Sequence, residues 1–199
     1  MFPWSALGGL VYALLGWRAL LALRFSAAAA AALVGGALIA HRLPPLAFLS
    51  GWRIHWAGAV VPTAISLYLW WAAGTAREKA RSLLAALGTL AAVTGLSLLS
   101  PLDPDVFPLG IDPLWRWGII AGAIAYLLGR SRRAAFIAGV LGAVAHQGLQ
   151  PLRRAWAGRP GGPVDIGGAG ALDAVVVAGV VAVLLAEAVG EVRERLQAR

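Results

Sequence analysis

The sequence alternates between long apolar stretches and short polar loops. An α-helix needs about 20 apolar residues to cross a hydrocarbon core of about 30 Å, and seven segments approach that measure. They are Phe2–Leu23, Ser26–Ala40, Trp56–Gly74, Ser82–Leu99, Trp117–Gly129, Ala134–Leu149 and Gly167–Gly190, of which the second, fifth and sixth are short. The pattern predicts an all-α polytopic membrane helix bundle of about seven transmembrane helices, forming one domain over residues 1–199 without a separate soluble domain.

The composition agrees with a membrane location and narrows the function classes. The chain is 60% hydrophobic and 13% charged, whereas about a quarter of the residues are charged in soluble domains. Its net charge of +8 does not indicate nucleic-acid binding, because the basic residues lie in loops between apolar segments. The absence of Cys excludes disulfides and thiol chemistry. The lipid bilayer is therefore the first expected partner.

The basic residues also predict the orientation, since Lys and Arg favour cytoplasmic loops. With the N-terminus outside, eleven of the 17 Lys and Arg residues lie in inner loops. This predicts an N-out/C-in protein of the cytoplasmic membrane. The proline-rich loop Ser100–Pro113, which carries Asp103, Asp105 and Asp112, then lies outside.

A carboxylate near the start of the last segment is the main candidate for chemistry. Asp173 lies six residues beyond Gly167, so a helix starting at Gly167 would place it about 9 Å below the outer boundary. Burying this charge in lipid costs at least about 2.5–3.5 kcal/mol, so the side chain must face protein or water. Intramembrane carboxylates are usually functional, and the structural alternative is hydrogen bonding that caps or cross-links helices.

Three further residues are candidates for a polar pathway around Asp173. His146 and Gln147 lie at a similar predicted depth on the sixth segment, where His146 could form a hydrogen-bonded pair with Asp173 that titrates near neutral pH. The alternative is that His146 is a packing residue. Pro62 interrupts the third segment and is a candidate hinge, with a static kink as the alternative.

Small residues recur every four positions along the start of the last segment. Such a stripe lets a neighbouring helix approach closely, and it is compatible with a homo-oligomer or a membrane partner protein. The residues are Gly170, Ala174, Ala178, Ala182 and Ala186.

Several sharper motifs are absent. The glycine-rich run before Asp173 lacks the Gly-Lys-Ser/Thr of a P-loop, and the three His residues have no metal-ligand spacing. No serine occupies a nucleophile elbow. We therefore expect no metal and no cofactor.

Four blocks of the chain resemble a family of bacterial and archaeal multipass proteins known as domain of unknown function 1614. They are HWAGAVVPTAISLYLW (His55–Trp70), the proline-rich loop into the fifth segment, FIAGVLGAVAHQGLQPL (Phe136–Leu152) and DIGGAGALDAVVVAGVVAVLLA (Asp165–Ala186). The resemblance implies a membrane scaffold and no particular activity. Relatives carry an acidic residue near the position of Gly148, which this chain lacks.

These observations leave three hypotheses, of which the two leading ones are non-enzymatic. The first is transfer of a proton, ion or small solute through Asp173, His146 and Gln147. The second is a scaffold role within a membrane assembly. The alternative is a divergent presenilin-like intramembrane aspartyl protease with Asp173 as a catalytic residue. That chemistry needs a second carboxyl at close range, which Asp105 or Asp112 would have to supply. Whether the chain is an enzyme therefore stays open.

Overall fold

The computed structural model describes residues 4–48, 51–99, 113–158 and 161–197. These residues are mostly helical and contain seven α-helices, which confirms the predicted all-α class. Each predicted apolar segment corresponds to one helix. The helices are α1 (Trp4–Ala22), α2 (Ala27–Ala40), α3 (Val61–Trp71), α4 (Ala76–Leu99), α5 (Pro113–Gly129), α6 (Arg132–Trp156) and α7 (Ala174–Gln197). Two of them, Ala76–Leu98 within α4 and Ala174–Gln197, are long and apolar enough to cross a membrane.

The centre of the bundle is α6, which packs against α3, α4, α5 and α7. Helices α4 and α6 run in the same direction, as two contacts show. Glu78 near the start of α4 pairs with Arg133 near the start of α6 at 3.6 Å. Further along the same two helices, Thr94 contacts His146. The bundle therefore has two distinct ends: a basic end, where α4 and α6 begin, and a pocket end, where they finish and α7 begins.

The small-residue stripe of α7 is packed inside this chain. A Cβ on Gly122 of α5 would lie 2.7 Å from the carbonyl oxygen of Ala178, and a Cβ on Gly139 of α6 would lie 2.8 Å from the same oxygen. Ala178 and Ala182 are fully buried. Helices α5 and α6 therefore cover the middle of the stripe.

Pro62 lies at the start of α3 and not in the interior of a regular helix. The π-helical turn Trp56–Val60 precedes it, with the Val60 amide donating to the His55 carbonyl oxygen at 3.1 Å. Pro62 occupies the first turn of α3, where its missing N–H removes little. The hinge stays a prediction, but its location is a junction between a π turn and an α-helix.

A small three-stranded sheet, which the apolar pattern does not predict, covers the pocket end. Its strands are β1 (Leu46–Phe48), β2 (Trp52–Ile54) and β3 (Val164–Ile166). Strand β2 is central, antiparallel to β1 and parallel to β3. The indole N–H of Trp52 donates to the carbonyl oxygen of Gly148 at 2.9 Å, which ties the sheet to α6.

Several predicted helix boundaries differ from the structure, and two of these differences affect the pocket end. Helix α6 continues to Trp156 although it contains Pro151, so it is a 25-residue helix and not a short one. Helix α7 begins at Ala174 and not at Gly167. The preceding residues do not continue the α-helix, because Gly167 and Gly170 have φ angles of 73° and 64°. Gly170–Leu172 form a single 3-10 turn instead.

Candidate functional site

Asp173 is the N-cap of α7. Its backbone is extended, with φ −63° and ψ 152°, and its Oδ1 accepts a hydrogen bond from the amide of Val175 at 3.0 Å. This is the geometry that Asp adopts at a helix N-terminus. Two further donors reach the carboxylate: the Ala169 amide at 3.2 Å and the Gln147 side-chain amide at 2.8 Å. The side chain is 1% exposed, so Asp173 is a buried carboxylate held by three hydrogen bonds.

Gln147 links α6 to the loop in front of α7. Its Nε2 donates to Asp173, and its Oε1 accepts from the amide of Gly167 at 2.9 Å. Both ends of the side-chain amide are therefore engaged. The structure brings the predicted pair Gln147 and Asp173 together, and their contact fixes the loop on α6.

The glycine-rich run ahead of Asp173 allows this loop to touch the π-helical turn directly. A Cβ on Gly58 would overlap the carbonyl group of Gly167, and a Cβ on Gly167 would lie 2.5 Å from the amide nitrogen of Ala59. A Cβ on Gly170 would overlap the imidazole of His41. These glycines therefore permit close backbone approach, and Gly170 belongs to a turn and not to a helix-packing stripe.

His146 does not form the predicted hydrogen bond with Asp173. Its Nδ1 lies 3.0 Å from the Thr94 hydroxyl, and its Nε2 lies 3.2 Å from the Gln150 side-chain nitrogen. The ring is 9% exposed. It faces α4, whereas Gln147 faces the loop before α7, because adjacent residues on a helix point in directions about 100° apart. Gln147 is thus the residue of this pair that contacts the carboxylate.

A second carboxylate, Asp165, lies at the surface of the pocket end. Strands β2 and β3 pair Arg53 with Asp165, and the Arg53 guanidinium donates to Oδ2 at 2.6 Å. The other oxygen, Oδ1, lies 2.9 Å from Nε2 of His55. The hydrogen bond with His55, followed by the hydrogen bond and charge of Arg53, lowers the pKa of Asp165. Asp165 is therefore ionised at neutral pH.

These groups line an open pocket of about 510 Å³ between the sheet, α6 and the loop before α7. Arg53, His55 and Asp165 lie on the sheet side, and Gln147 and Gln150 lie on the α6 side. Asp173, Pro45, Val164, Gly168 and Ala169 complete the lining. Gln150 lines the pocket and also contacts the buried His146, so this one side chain connects the open pocket to a polar group inside the bundle.

The geometry does not resemble an aspartyl dyad. Asp105 and Asp112, the predicted second carboxylates, lie outside the described residues. The other carboxylate of the pocket is Asp165, which is engaged by a cation and an imidazole, whereas a dyad shares one proton between two carboxyls. Within the described part of the chain, no group of three or more His, Cys, Asp or Glu residues is placed to hold a metal ion.

Sequence reasoning missed Arg53, His55, Asp165 and Gln150 as pocket residues. Two of them carry a signal in hindsight, because His55 and Asp165 open two of the four blocks that resemble the family. No local pattern indicated that these blocks meet, because a pairing across 110 residues is a tertiary contact.

The chain matches the family described as protein of unknown function (DUF1614) over residues 52–185. Because the match covers more than half of the chain, the chain belongs to this family. No curated protein and no solved structure matches it significantly. The matched region begins in β2 and includes every pocket residue except Pro45, whereas α1 and α2 precede it.

Proposed function

We propose that this member of the DUF1614 family is a multipass protein of the cytoplasmic membrane, with about seven transmembrane helices in an N-out/C-in arrangement. The distribution of apolar side chains supports this proposal. Most buried hydrophobic residues are alanines, and among the described residues far more leucines are exposed than buried. Leu14, Leu84 and Leu127 are 59%, 67% and 64% exposed. Soluble proteins bury leucine preferentially, so lipid is the natural surrounding for this surface.

The two ends of the bundle also differ in charge. Arg77, Lys79, Arg130, Arg132 and Arg133 lie at the starts of α4 and α6 and in the turn before α6, at the basic end. The pocket end carries Asp165 and Asp173 beside Arg53, with Arg153 and Arg154 in the last turn of α6. By the rule that Lys and Arg favour the cytoplasmic side, the pocket end faces outward.

For the function, we propose that the pocket takes up a proton, an ion or a small polar solute at the outer face. The observation that carries this proposal is an open pocket lined by the His55–Asp165 pair and by Gln150, whose side chain also contacts the buried His146. Histidine changes charge between about pH 5 and pH 8, so it suits proton exchange. Asp173 is a positioning residue in this proposal, because its three hydrogen bonds hold the pocket wall together.

The test is a flux assay in sealed vesicles that contain the purified protein. A pH-sensitive dye inside the vesicles reports proton entry after a pH step, and a voltage-sensitive dye reports the movement of other ions. We expect flux above that of protein-free vesicles, and we expect His55→Gln to reduce it. His41→Gln is the matched control, because His41 contacts Gly170 without lining the pocket.

The outcomes separate transfer from a scaffold role. Flux that responds to His55→Gln and not to His41→Gln supports the proposal. Vesicles in which neither dye responds, with a protein that unfolds cooperatively, overturn proton and ion transfer and favour the scaffold role. The saturated hydrogen bonding of Asp173 is the observation that favours that second role.

A further inference from the structure

The basic end of the bundle contains a second open pocket, at the start of α4. It has a volume of about 510 Å³ and is lined by Thr75, Arg77, Glu78 and Arg81. Arg77 and Arg81 are separated by four residues, so their side chains emerge from the same face of α4. Both arginines are exposed. The pocket lies at the opposite end of the bundle from the site around Asp173.

The acidic residue that lines this pocket is already paired. Glu78 lies 3.6 Å from the Arg133 guanidinium at the start of α6, and both side chains are about one-third exposed. The Thr75 hydroxyl accepts a hydrogen bond from the Glu78 amide at 3.1 Å. With the charge of Glu78 offset by Arg133, the two arginines leave the pocket with a positive charge, which suits an anionic group.

The surroundings of the pocket indicate what kind of anion it would meet. On the face of α4 that carries Arg77 and Arg81, the next turn carries Leu84, which is 67% exposed. Leu87 follows at 61% exposure. A cationic turn directly above an apolar strip matches a molecule with an anionic head and apolar tails.

Aromatic residues beside the pocket indicate the depth of the pocket in the proposed membrane. Trp71, at the end of α3, is 73% exposed. Trp70 donates its indole N–H to the Lys79 carbonyl oxygen at 3.2 Å, and the Lys79 ammonium lies 5.5 Å from the centre of the Trp70 ring. Tryptophan concentrates at the boundary between lipid tails and headgroups. The arginines therefore lie at the expected depth of lipid phosphates.

We infer that Arg77 and Arg81 bind the phosphate of an anionic phospholipid, whose acyl chains lie along Leu84 and Leu87. This inference rests on the proposed membrane location and is independent of the proposed transfer function. The C-terminal end of α7 lies at the same end of the bundle but carries Glu191 and Glu194 next to its arginines, with Arg195 and Glu191 3.9 Å apart. That end of α7 is mixed in charge and is not part of the inferred surface.

The experiment follows thermal unfolding in a neutral detergent while phosphatidylglycerol or phosphatidylcholine is added. We expect phosphatidylglycerol to raise the unfolding temperature in a saturable way and phosphatidylcholine to have little effect. Each arginine near a membrane surface contributes about fivefold in affinity, so Arg77→Gln and Arg81→Gln should each weaken half-saturation by about that factor. The double variant Arg77→Gln/Arg81→Gln should lose most of the response, and the single variants keep the test informative if the double variant fails to fold.

Arg193→Gln combined with Arg195→Gln is the charge-matched control for the double variant, because both residues are exposed on α7 at the same end of the bundle. We expect this control to respond to phosphatidylglycerol as the original protein does. If the control loses the response to phosphatidylglycerol equally, the response depends on total charge, and the inferred binding at Arg77 and Arg81 is overturned. Soluble glycerol phosphate is the second control: a response equal to that of phosphatidylglycerol would identify a site for free phosphate compounds and would overturn the lipid inference.

Discussion

Replacing Asp173 tests whether this carboxylate holds the pocket end together. In the folded protein it accepts hydrogen bonds from the Val175 amide, the Gln147 side chain and the Ala169 amide. Asp173→Ala removes both carboxylate oxygens from a site that is 1% exposed, so the three donors lose their partner where water has little access. Asp173→Asn keeps one oxygen, which can still accept from Val175 and Gln147.

The magnitudes follow from the type of each contact. Loss of an N-cap costs about 1 kcal/mol, and loss of a hydrogen bond to a charged group costs about 1.5–3 kcal/mol. Because contacts that share one side chain are not additive, we expect Asp173→Ala to lower the free energy of unfolding by about 3–4 kcal/mol. For Asp173→Asn we expect a loss of about 1 kcal/mol, since Asn is also a good N-cap.

The assay is thermal unfolding in detergent, followed by intrinsic tryptophan fluorescence. For a chain of this length, 1 kcal/mol corresponds to about 2–4 °C, so Asp173→Ala should lower the unfolding temperature by about 6–16 °C. Asp165→Ala is the matched control. Asp165 is 36% exposed and its ion pair with Arg53 is screened by solvent, so the change should be within about 1 kcal/mol.

Equal unfolding temperatures for the original protein and Asp173→Ala would refute the capping argument. A decrease in Asp173→Asn as large as that in Asp173→Ala would also contradict it, since the retained oxygen would then contribute nothing. A loss of flux in Asp173→Asn with unchanged stability would instead return Asp173 to the role of a titrating group.

Two further predictions concern helix packing and pH. Gly122→Ala should lower the free energy of unfolding by about 1–3 kcal/mol, because the new Cβ would lie 2.7 Å from the Ala178 carbonyl oxygen. Gly95→Ala should raise the free energy of unfolding by about 0.5–1 kcal/mol, because Gly95 is a helical site with nothing within 4 Å of an added Cβ. Thermal unfolding followed by calorimetry or fluorescence compares the two variants. The pKa of Asp165 is lower in the folded protein than in the unfolded chain, where it is about 3.9. The ionised carboxylate therefore stabilises the fold above about pH 3.9. This stabilisation is lost as the pH falls from that value through the lower pKa of the folded protein. The His55 amide donates to the Ile166 carbonyl oxygen at 2.9 Å, next to the contact between His55 and Asp165. Hydrogen exchange should therefore show this amide losing protection below about pH 4, and Asp165→Asn should remove this pH dependence. Protection that falls equally in both proteins would contradict the prediction.

Helix number and class were predictable because they depend on local composition. A helix satisfies its own backbone hydrogen bonds, so each long apolar stretch indicates one element without knowledge of its neighbours. Helix boundaries were less predictable. The apolar pattern continued through Gly167–Leu172, but contact with the π-helical turn around Gly58 holds that stretch in a turn with positive φ angles. Helix α7 consequently starts at Ala174.

The candidate site was predictable only in part. Asp173 and Gln147 meet as expected, since both are polar residues at one end of long apolar helices. The contact between His146 and Thr94 was not predicted, because it depends on how α6 is rotated about its axis against α4.

The amino-acid sequence by itself determined that this protein is helical, approximately where its helices lie along the chain, and that Asp173 is the main candidate for a polar site. Only the tertiary structure decided that β2 and β3 pair, and with them Arg53 and Asp165, which are 112 residues apart. The physical reason is the difference in the sequence separation over which these effects act. Hydrophobicity and helix propensity act between near neighbours in the chain, whereas a pocket forms where distant segments meet, and that meeting depends on the packing of the whole bundle.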